Sequence, residues 1–330
     1  MTETKKYKVF ITNIFPEAAV QEMAKIALIK EWKENFALPY EVLKKEVSDI
    51  DGLFCLTADR VDAAVIQAAP KLKVISNDAV GFNNIDVAEA TRRGIPVGNT
   101  PGVLSDTTAD LAFALLMAAA RRIAESDRYV RKGLWKVAFQ PGLMFGHDIH
   151  HATLGIVGLG RIGVEMARRA KGFNMRILYS NRSRRPDIEA ELGVEYITLA
   201  SLLSQSDFVS LHVSLNENTR HLIGRTELAL MKSNAILINT ARGQVVDQNA
   251  LYEALKAGQI AGAGLDVMET EPIPADDPLL TLENVVFTPH IGSATKATRN
   301  RMAMLAAENL IAGLQGRRLP HCINPEVYKV

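Results

Sequence analysis

The amino-acid sequence predicts an α/β protein with two doubly wound parallel sheets. Short apolar runs rich in β-branched residues recur along the chain, and segments with helical periodicity separate them. Nearly continuous apolar strands are typical of parallel sheets that are buried on both faces. The 330 residues accommodate two domains of ordinary size, and the hydrophobic content of 48% allows each domain a substantial core.

The first series of predicted strands lies in the N-terminal third of the chain. Its members are KVFITN (8–13), GLFCL (52–56), KVISND (73–78) and PVGNT (96–100). Residues 18–27 and 61–69 have the pattern of helices between these strands. A longer helix is predicted over 107–122, with Asp106 as its candidate N-cap.

A second series of strands begins at residue 153. Its members are TLGIVGLG (153–160), RILYS (176–180), FVSLHV (208–213), AILINT (235–240), GAGLDV (262–267) and NVVFTPH (284–290). A long amphipathic helix follows and should return the chain to the first domain. We therefore expect one discontinuous domain, residues 1–104 plus 295–330, and a second domain, residues 105–294, with a ligand cleft between them.

Charge and cysteine content narrow the range of functions. A net charge of +1 argues against nucleic acid or a membrane surface as the main partner. Cys55 and Cys322 form no disulfide framework, which fits a reducing cytoplasm. The apolar run 111–120 is far shorter than the roughly 20 residues of a spanning helix, and the start of the chain does not resemble a signal peptide. We therefore expect a cytoplasmic protein.

A glycine fingerprint follows the first strand of the second series. Gly158, Gly160 and Gly163 have the spacing G-x-G-x-x-G, and Arg161 and Ile162 complete the loop. The first glycine permits a tight turn, the second lets a pyrophosphate approach the backbone, and the third allows close contact of helix and strand. The motif predicts a dinucleotide at the start of a helix, in a Rossmann-type domain. A glycine-rich turn that serves packing alone is the alternative.

The residues that distinguish NAD from NADP lie about twenty positions further along. Ser180 occupies the place where an acidic residue usually binds the ribose hydroxyls of NAD. Arg182 and Arg184 can form charge-assisted hydrogen bonds with the 2′-phosphate of NADP, and Ser183 can add a hydroxyl. This pattern favours NADPH, with NADH as a weaker cofactor. The alternative is that these arginines lie on a solvated surface turn.

Three polar residues of complementary chemistry follow predicted strands of the second series. Arg242 comes after LINTA, Glu271 comes after GLDV, and His290 ends VVFTPH. The carboxyl ends of parallel strands meet at one edge of a sheet, so we expect these side chains to converge. A cation, a carboxylate and an imidazole form a set suited to acid–base chemistry. Each residue alone could instead be structural.

The chain resembles the D-isomer-specific 2-hydroxyacid dehydrogenases almost from end to end. The motifs GLGRIG, NTARG, GLDV…EP and TPHIGSAT carry this resemblance. The segments VGNTPGVLSDTTADLA and PLLTLENVVFTPHIGSATKATRN are similar to the glyoxylate/hydroxypyruvate reductases of that family. The resemblance implies a Rossmann-type cofactor domain (105–294), a flavodoxin-like substrate domain (1–104 and 295–330) and a homodimer. It also implies NADPH-dependent reduction of glyoxylate and hydroxypyruvate to glycolate and D-glycerate.

The resemblance assigns catalytic roles to the three polar residues. His290 would be the general acid that protonates the carbonyl oxygen of a 2-keto acid. Glu271, which precedes a proline as the carboxylate of the family does, would orient the imidazole in preference to Glu269. Arg242 would bind the carboxylate and the polarised carbonyl oxygen of the substrate.

Further binding residues are implied by the same resemblance. Val80 and Gly81 would bind the substrate carboxylate through their N–H groups, with Leu56 beside them. Asp266 would hold the nicotinamide carboxamide or, alternatively, cap a local turn. Thr108 would face the cofactor or pack at a helix start. The remaining neighbours of cofactor or substrate are Thr219, Thr240, Ala241, Gly292 and Ser293.

Several interpretations remain open. The substrate could be a longer 2-keto acid such as 2-ketogluconate, and some relatives of this fold are dinucleotide-sensing corepressors. The histidines of GHDIHH (146–151) suggest a metal site, but no cysteine or paired acid accompanies them at ligand spacing. The apolar residues of 123–151, including Trp135, Phe139 and Phe145, could cover a partner subunit or close a pocket.

Overall fold

Two parallel sheets organise the part of the chain that the structure describes, residues 6–329. In this computed structural model the chain divides into two compact units. The first unit contains the described residues up to Leu104 and from Ala294 onwards, and the second unit contains Ser105–Ser293. Each unit carries one of the sheets.

Strands and helices alternate along both units. Within residues 6–329 the strands are β1 (Tyr7–Ile11), β2 (Ala27–Glu31), β3 (Gly52–Cys55), β4 (Val74–Asn77), β5 (Val97–Gly98), β6 (Thr153–Val157), β7 (Arg176–Ser180), β8 (Glu195–Tyr196), β9 (Phe208–Leu211), β10 (Ile236–Asn239), β11 (Gly262–Leu265) and β12 (Val285–Phe287). The α-helices of the same range are α1 (Glu17–Ala24), α2 (Tyr40–Glu46), α3 (Ala63–Gln67), α4 (Val87–Arg92), α5 (Ser105–Ala120), α6 (Ile123–Arg131), α7 (Arg161–Lys171), α8 (Pro186–Leu192), α9 (Leu199–Gln205), α10 (Arg225–Leu230), α11 (Gln248–Lys256) and α12 (Lys296–Leu314). Short 3-10 turns lie at Val47–Asp49, Gly243–Val245, Pro278–Thr281 and Pro325–Tyr328.

The described strands of the first unit form a parallel sheet in the order β2-β1-β3-β4-β5. This is the flavodoxin-like order, so the predicted flavodoxin-like sheet is confirmed. β3 and β4 are buried at every residue, as expected for strands with helices on both faces.

The helix α12 packs directly on this sheet. A Cβ on Gly313 would lie 2.5 Å from Cβ of Val74 in β4, and one on Gly98 of β5 would lie 2.8 Å from Cβ of Asn309. Because these two glycines have no side chains, helix and strands approach very closely. The C-terminal part of the chain is thereby joined to the strands that carry the loops after β4 and β5.

The described strands of the second unit form a parallel sheet in the order β12-β11-β10-β9-β6-β7-β8. With β6 counted as the first strand, this is the Rossmann order, and the predicted Rossmann-type sheet is confirmed. The direction of progression reverses between β6 and β9. Open α/β sheets bind ligands beside such a reversal, at the carboxyl ends of the strands.

Two edge strands, β2 and β8, were not expected from the sequence. The helix predicted over 18–27 ends at Ala24, and Ala27 begins β2. Leu28 and Lys30 of β2 are exposed, so this strand lacks the continuous apolar pattern by which the predicted strands were recognised.

The helix predicted over 107–122 also has different ends. It starts at Ser105 and stops at Ala120, and Arg122 then adopts a left-handed conformation with φ of 52°. The prediction that Asp106 is the N-cap is therefore wrong. Asp106 lies within the first turn, where a carboxylate interacts favourably with the helix dipole.

None of the helices within residues 6–329 is long and apolar enough to span a bilayer.

Candidate active site

The glycine loop joins β6 to α7. Gly158 has a φ of 98°, and a Cβ there would lie 2.8 Å from the carbonyl carbon of His212. A Cβ on Gly163 would overlap the carbonyl oxygen of Gly158. A Cβ on Gly160 would have no described atom within 4 Å. The fold therefore requires the first and third glycines, whereas the second keeps a space open in front of the helix.

The start of α7 offers unpaired main-chain donors. Its N-cap residue, Gly160, forms no side-chain capping bond. Within residues 6–329, the N–H groups of Arg161, Ile162 and Gly163 donate no hydrogen bond, and Val164 is the first to donate, to Gly160 at 2.9 Å. Such N–H groups and the positive end of the helix dipole attract anions. The open space and the unpaired donors fit the pyrophosphate of a dinucleotide.

The end of β7 lies beside this loop. The N–H of Gly158 donates to the carbonyl oxygen of Ser180 at 2.9 Å. An exposed turn follows, in which Asn181 donates from Nδ2 to the carbonyl of Ser183 at 3.0 Å. Among the described residues, the Arg182 guanidinium has no hydrogen bond or ion pair. The position next to the glycine loop therefore has no carboxylate and has an exposed cation nearby.

Arg184 and Arg185 have different partners. Arg184 forms a bidentate ion pair with Glu189 of α8, with donor–acceptor distances of 2.8 and 2.7 Å. Arg185 donates from Nη1 to the carbonyl of Leu159 in the glycine loop at 3.2 Å and pairs with Asp187 at 2.9 Å. The arginine that contacts the glycine loop is therefore Arg185, which the sequence analysis did not select. Arg184, which it did select, is bound to a carboxylate.

A histidine and a carboxylate are paired after β12 and β11. His290 Nδ1 lies 2.6 Å from Glu271 Oε2, and Glu271 Oε1 accepts the N–H of Met268 at 3.1 Å. Because an ionised carboxylate only accepts hydrogen bonds, Nδ1 carries a proton and Nε2 is the ring nitrogen available for chemistry. The competing carboxylate, Glu269, pairs instead with His221 Nε2 at 2.6 Å.

Arg242, Glu271 and His290 influence one another electrostatically. Burial raises the pKa of Glu271, but the hydrogen bonds from His290 and Met268 and the charges of His290 and Arg242 outweigh it, so the net pKa is lowered. Burial lowers the pKa of Arg242, and the charge of Glu271 opposes this effect. Glu271 is therefore ionised at neutral pH and can stabilise an imidazolium. The structure brings together the three residues that the sequence analysis selected.

Asn239, the last residue of β10, fixes the turn that carries Arg242. Its Nδ2 donates to the Arg242 carbonyl at 2.9 Å, and its Oδ1 accepts the N–H of Ala241 at 3.0 Å. Arg242 Nη1 donates to the Ala241 carbonyl at 2.7 Å. The sequence analysis missed Asn239, although its place at a strand end within NTARG was a usable signal. Thr240, the residue between Asn239 and Ala241, has a buried hydroxyl with no hydrogen-bond partner among the described residues.

Asp266 holds the turn that carries His290. Its Oδ1 accepts Thr288 Oγ1 at 2.6 Å and the N–H of Ile291 at 2.8 Å, and its Oδ2 accepts the N–H of Gly292 at 2.8 Å. His290 has a φ of 53°, which is uncommon for a residue with a side chain. These hydrogen bonds use three of about four acceptor positions of the Asp266 carboxylate. Asp266 therefore stabilises the conformation of this turn.

The other predicted neighbours lie around the same edge. A Cβ on Gly292 would be 3.4 Å from the methyl carbon of Thr108, so α5 contacts the turn after His290. Ser293 follows and is half-buried. Thr219 Oγ1 accepts the N–H of Asn216 at 2.8 Å and belongs to the loop after β9.

In the first unit, consecutive carbonyls of the loop after β4 are hydrogen-bonded, whereas consecutive N–H groups of the loop have no acceptor among the described residues. The carbonyl oxygens of residues 79–82 all accept a hydrogen bond, from Thr100 N, Asn99 Nδ2, Asn77 Nδ2 and Ile85 N in that order. Within residues 6–329, the N–H groups of Val80, Gly81 and Phe82 donate none. Consecutive unpaired N–H groups form a concave site for anions.

Leu56 is joined to this loop through an asparagine. Its carbonyl accepts Asn84 Nδ2 at 2.9 Å, and Asn84 Nδ2 also lies 3.1 Å from the carbonyl of Asp59. The N–H of Leu56 donates to the Asp59 carboxylate at 2.7 Å. The loops after β3 and β4 are therefore held together by side chains.

The histidine-rich segment 146–151 borders a surface cavity. His147, His150 and His151 line it together with Asp207. In the described part of the chain, no three His, Cys, Asp or Glu side chains are placed to hold a metal ion.

A Rossmann sheet with an open glycine loop, beside a histidine–carboxylate pair and an arginine, defines the class of dinucleotide-dependent oxidoreductases. Residues 113–292 match the family model described as D-isomer specific 2-hydroxyacid dehydrogenase, NAD binding domain. The chain belongs to this family.

Similar proteins cover the whole length of the chain. The glyoxylate reductases of Korarchaeum cryptofilum and Thermococcus litoralis are 58% and 54% identical to it over 325 residues, with 98% of each chain covered. A solved structure of an NADPH-dependent glyoxylate/hydroxypyruvate reductase from Sinorhizobium meliloti, in complex with NADP and malonate, is 29% identical. It superposes with a TM-score of 0.86 and covers 97% of both chains.

Proposed function

We propose that the protein reduces glyoxylate and hydroxypyruvate to glycolate and D-glycerate with NADPH, and that His290 is the general acid. The observation that carries the proposal is the 2.6 Å hydrogen bond between His290 Nδ1 and Glu271 Oε2, which leaves Nε2 to deliver a proton. The two archaeal relatives named as glyoxylate reductases support this substrate class.

The proton chemistry follows from this pair. His290 would protonate the carbonyl oxygen from Nε2, while Glu271 accepts the hydrogen bond of Nδ1 and stabilises the imidazolium before transfer. Arg242 would bind the substrate carboxylate and polarise the carbonyl oxygen. The bound nicotinamide supplies the hydride that the keto carbon receives. One hydride and one proton convert the carbonyl into an alcohol, and neutral His290 then takes a proton from solvent.

The first unit would bind the substrate carboxylate through main-chain donors. Val80 and Gly81 present N–H groups that have no acceptor within the described residues, and a substrate carboxylate would supply one. Leu56 of the first unit and Ser293 of the second unit are further proposed neighbours of the substrate. The first unit would thus bind the substrate carboxylate, and the second unit would bind the dinucleotide and carry the catalytic residues.

The cofactor would extend from the glycine loop to the turn after His290. Gly158–Gly163 would hold the pyrophosphate at the start of α7. The unpaired hydroxyl of Thr240 would gain a partner in the ligand, because buried polar groups are rarely left without one. The remaining proposed neighbours of the cofactor are Thr108, Thr219, Ala241, Asp266 and Gly292.

The preference for NADPH rests on the exposed turn after β7. Ser180 places no negative charge beside the glycine loop, and Arg182 has no partner among the described residues. Arg185 contacts the glycine loop itself, so we add it to the residues that would bind the 2′-phosphate. Arg184 would bind it only by giving up part of its ion pair with Glu189. The relative from Sinorhizobium meliloti that holds NADP supports this cofactor.

Steady-state assays that cross NADPH and NADH with glyoxylate, hydroxypyruvate, 2-ketogluconate and pyruvate test the proposal. We expect the highest kcat/KM with NADPH and the two small keto acids. A clear preference for 2-ketogluconate would replace the substrate assignment. Tight NADPH binding without oxidation by any keto acid would favour the alternative of a dinucleotide sensor.

We also propose that the protein forms a homodimer through residues 123–151. The helix α6 has no buried residue, and the chain after it exposes large apolar side chains. Phe139 and Phe145 are 81% and 79% exposed. Several large apolar side chains exposed within one segment are typical of protein–protein interfaces. A second copy of the chain is the occupant that the family resemblance implies.

Sedimentation equilibrium of the Phe139→Asp variant tests this interface. We expect a dimeric wild-type protein and a variant shifted towards monomer. Ile14→Asp, at a residue of the first unit that is 66% exposed, is the matched control and should remain dimeric. A monomeric wild-type protein would refute the proposed dimer.

A further inference from the structure

Two asparagine side chains hold the loop after β4 in its anion-binding form. Asn99 Nδ2 donates to the carbonyl of Val80 at 2.8 Å, and Asn77 Nδ2 donates to the carbonyl of Gly81 at 2.8 Å. Asn77 is fully buried at the end of β4, and Asn99 is half-buried directly after β5. Both side chains therefore act from neighbouring strands of one sheet.

These hydrogen bonds determine where the N–H groups point. In a planar trans peptide, the carbonyl of one residue and the N–H of the next point in opposite directions. Asn99 therefore fixes the direction of the Gly81 N–H by holding the Val80 carbonyl, and Asn77 fixes the Phe82 N–H in the same way. The main-chain N–H of Thr100 holds the Ala79 carbonyl at 2.9 Å and thereby fixes the Val80 N–H.

The position of Asn99 depends in turn on the C-terminal part of the chain. Its carbonyl accepts Asn309 Nδ2 from α12 at 2.9 Å, and its N–H donates to the carbonyl of His321 at 3.3 Å. The N–H of His321 donates to Asn309 Oδ1 at 2.9 Å, which closes the network. Asn309 is fully buried and lies against Gly98 of β5. The loop is thus supported by a buried polar network that reaches residues far away in the sequence.

We propose that Asn99 and Asn77 are positioning residues for the substrate carboxylate, and that Asn99 connects this site to the C-terminal segment. Neither side chain needs to touch the substrate. Each uses its amide to hold a carbonyl, so that the N–H groups of adjacent peptides remain available to the anion. The inference rests on the proposed function for the identity of the anion, a 2-keto acid carboxylate.

The test compares Asn99→Ala and Asn99→Asp with the wild-type protein. We expect Asn99→Ala to raise KM for glyoxylate about tenfold, because one hydrogen bond that orders the loop is lost. Asn99→Asp keeps the size but replaces the donor with a charged acceptor that repels the Val80 carbonyl, so its KM should rise further. The kcat at saturating glyoxylate and the KM for NADPH should change by less than about threefold, since the chemical groups and the glycine loop are untouched.

A matched control and a binding measurement separate the outcomes. Asn284→Ala removes a half-buried asparagine of the second unit that donates to the Leu255 and Ala261 carbonyls, and it should leave KM for glyoxylate unchanged. Calorimetry with oxalate, an unreactive carboxylate, in the presence of NADPH should show weaker binding to both Asn99 variants.

An unchanged KM and oxalate affinity in folded Asn99 variants of an active enzyme would overturn the inference and leave the proposed function intact. Equal changes in KM for glyoxylate, KM for NADPH and kcat would also overturn it, because they would indicate a general structural defect. A wild-type protein that reduces no keto acid, but whose oxalate affinity falls when Asn99 is replaced, would refute the proposed function and support the inference.

Discussion

The glycine loop of the second unit and the loop after β4 of the first unit both present unpaired N–H groups, but they are built differently. In the glycine loop, the donors belong to a helix start, and residues without side chains create the space. In the loop after β4, asparagine side chains donate hydrogen bonds to the main-chain carbonyls, and consecutive main-chain N–H groups remain without an acceptor among the described residues. One proposed anion site thus depends on missing side chains, and the other depends on side chains that would not touch the anion.

The largest expected effect comes from His290, the proposed proton donor. His290→Asn removes the proton donor and leaves both loops intact, so kcat for glyoxylate should fall about 1000-fold. The KM for NADPH and the dissociation constant of oxalate should stay within about threefold, because binding depends on the loops. Stopped-flow measurement of NADPH oxidation separates the chemical step from binding. Turnover near that of the wild-type protein would remove His290 from the mechanism.

A stability effect should follow from Asp78, the first residue after β4. Asp78 is 4% exposed, and its Oδ1 has no hydrogen-bond partner among the described residues. Burial raises its pKa to about 7, and the charge of Arg299 opposes this effect. Because the folded protein then binds more protons than the unfolded chain, stability should fall as pH rises from about 4 to 7, by up to about 4 kcal/mol.

The variant Asp78→Asn should remove this loss and should be more stable than the wild-type protein at pH 8. Urea unfolding between pH 5 and 8 measures the effect. His212, beside the glycine loop, provides an internal control. Burial lowers its pKa to about 4, so its contribution to stability is lost as the pH falls below about 6.5. That acid dependence should be the same in both proteins. Parallel stability curves for the two proteins would show that Asp78 is ionised when folded.

Substitutions within the glycine loop should distinguish a glycine that leaves space for the cofactor from a glycine that is needed for packing. Gly160→Val adds a side chain where no described atom lies within 4 Å, so the protein should fold while KM for NADPH rises about 100-fold. Gly163→Ala should instead lower the melting temperature, since its Cβ would overlap the Gly158 carbonyl. Thermal unfolding and NADPH titration of both variants are the measurements. Normal NADPH binding by Gly160→Val would place the pyrophosphate elsewhere.

The smallest kinetic effect is expected at the arginines after β7. Arg185→Ala should raise KM for NADPH about tenfold and leave KM for NADH nearly unchanged, because one charge-assisted contact to the 2′-phosphate is lost. Arg184→Ala, which removes the ion pair with Glu189, is the matched control and should affect KM for NADPH less. The opposite ranking of the two variants would restore Arg184 as the main phosphate ligand.

The difference between the two loops also explains what could be predicted from the sequence. The G-x-G-x-x-G spacing is local, and each glycine has a separate steric reason, so the loop and its sheet were recognisable. The asparagine network joins Asn77, Asn99 and Asn309, and Asn309 is 210 positions from Asn99. No local pattern indicates such partners. The Rossmann and flavodoxin-like sheets were predictable because buried parallel strands are continuously apolar.

The partners of the arginines after β7 could not be predicted from the sequence either. The sequence shows several arginines after β7. Which of them pairs with Glu189 and which contacts the glycine loop depends on where α8 begins. Pro186 starts that helix, and Glu189 in its first turn is then in reach of Arg184. The choice between Glu269 and Glu271 was more tractable, because the proline after Glu271 marked one of them.

The proposed main-chain recognition of a carboxylate in the loop after β4 would have an evolutionary consequence. A substitution at Val80 changes the side chain and retains the N–H group, so the demand for a carboxylate can persist while the rest of the ligand is exchanged. With such an anchor, descendants of this scaffold would acquire new acids as substrates through ordinary point mutations and would keep the contact that all of those acids share.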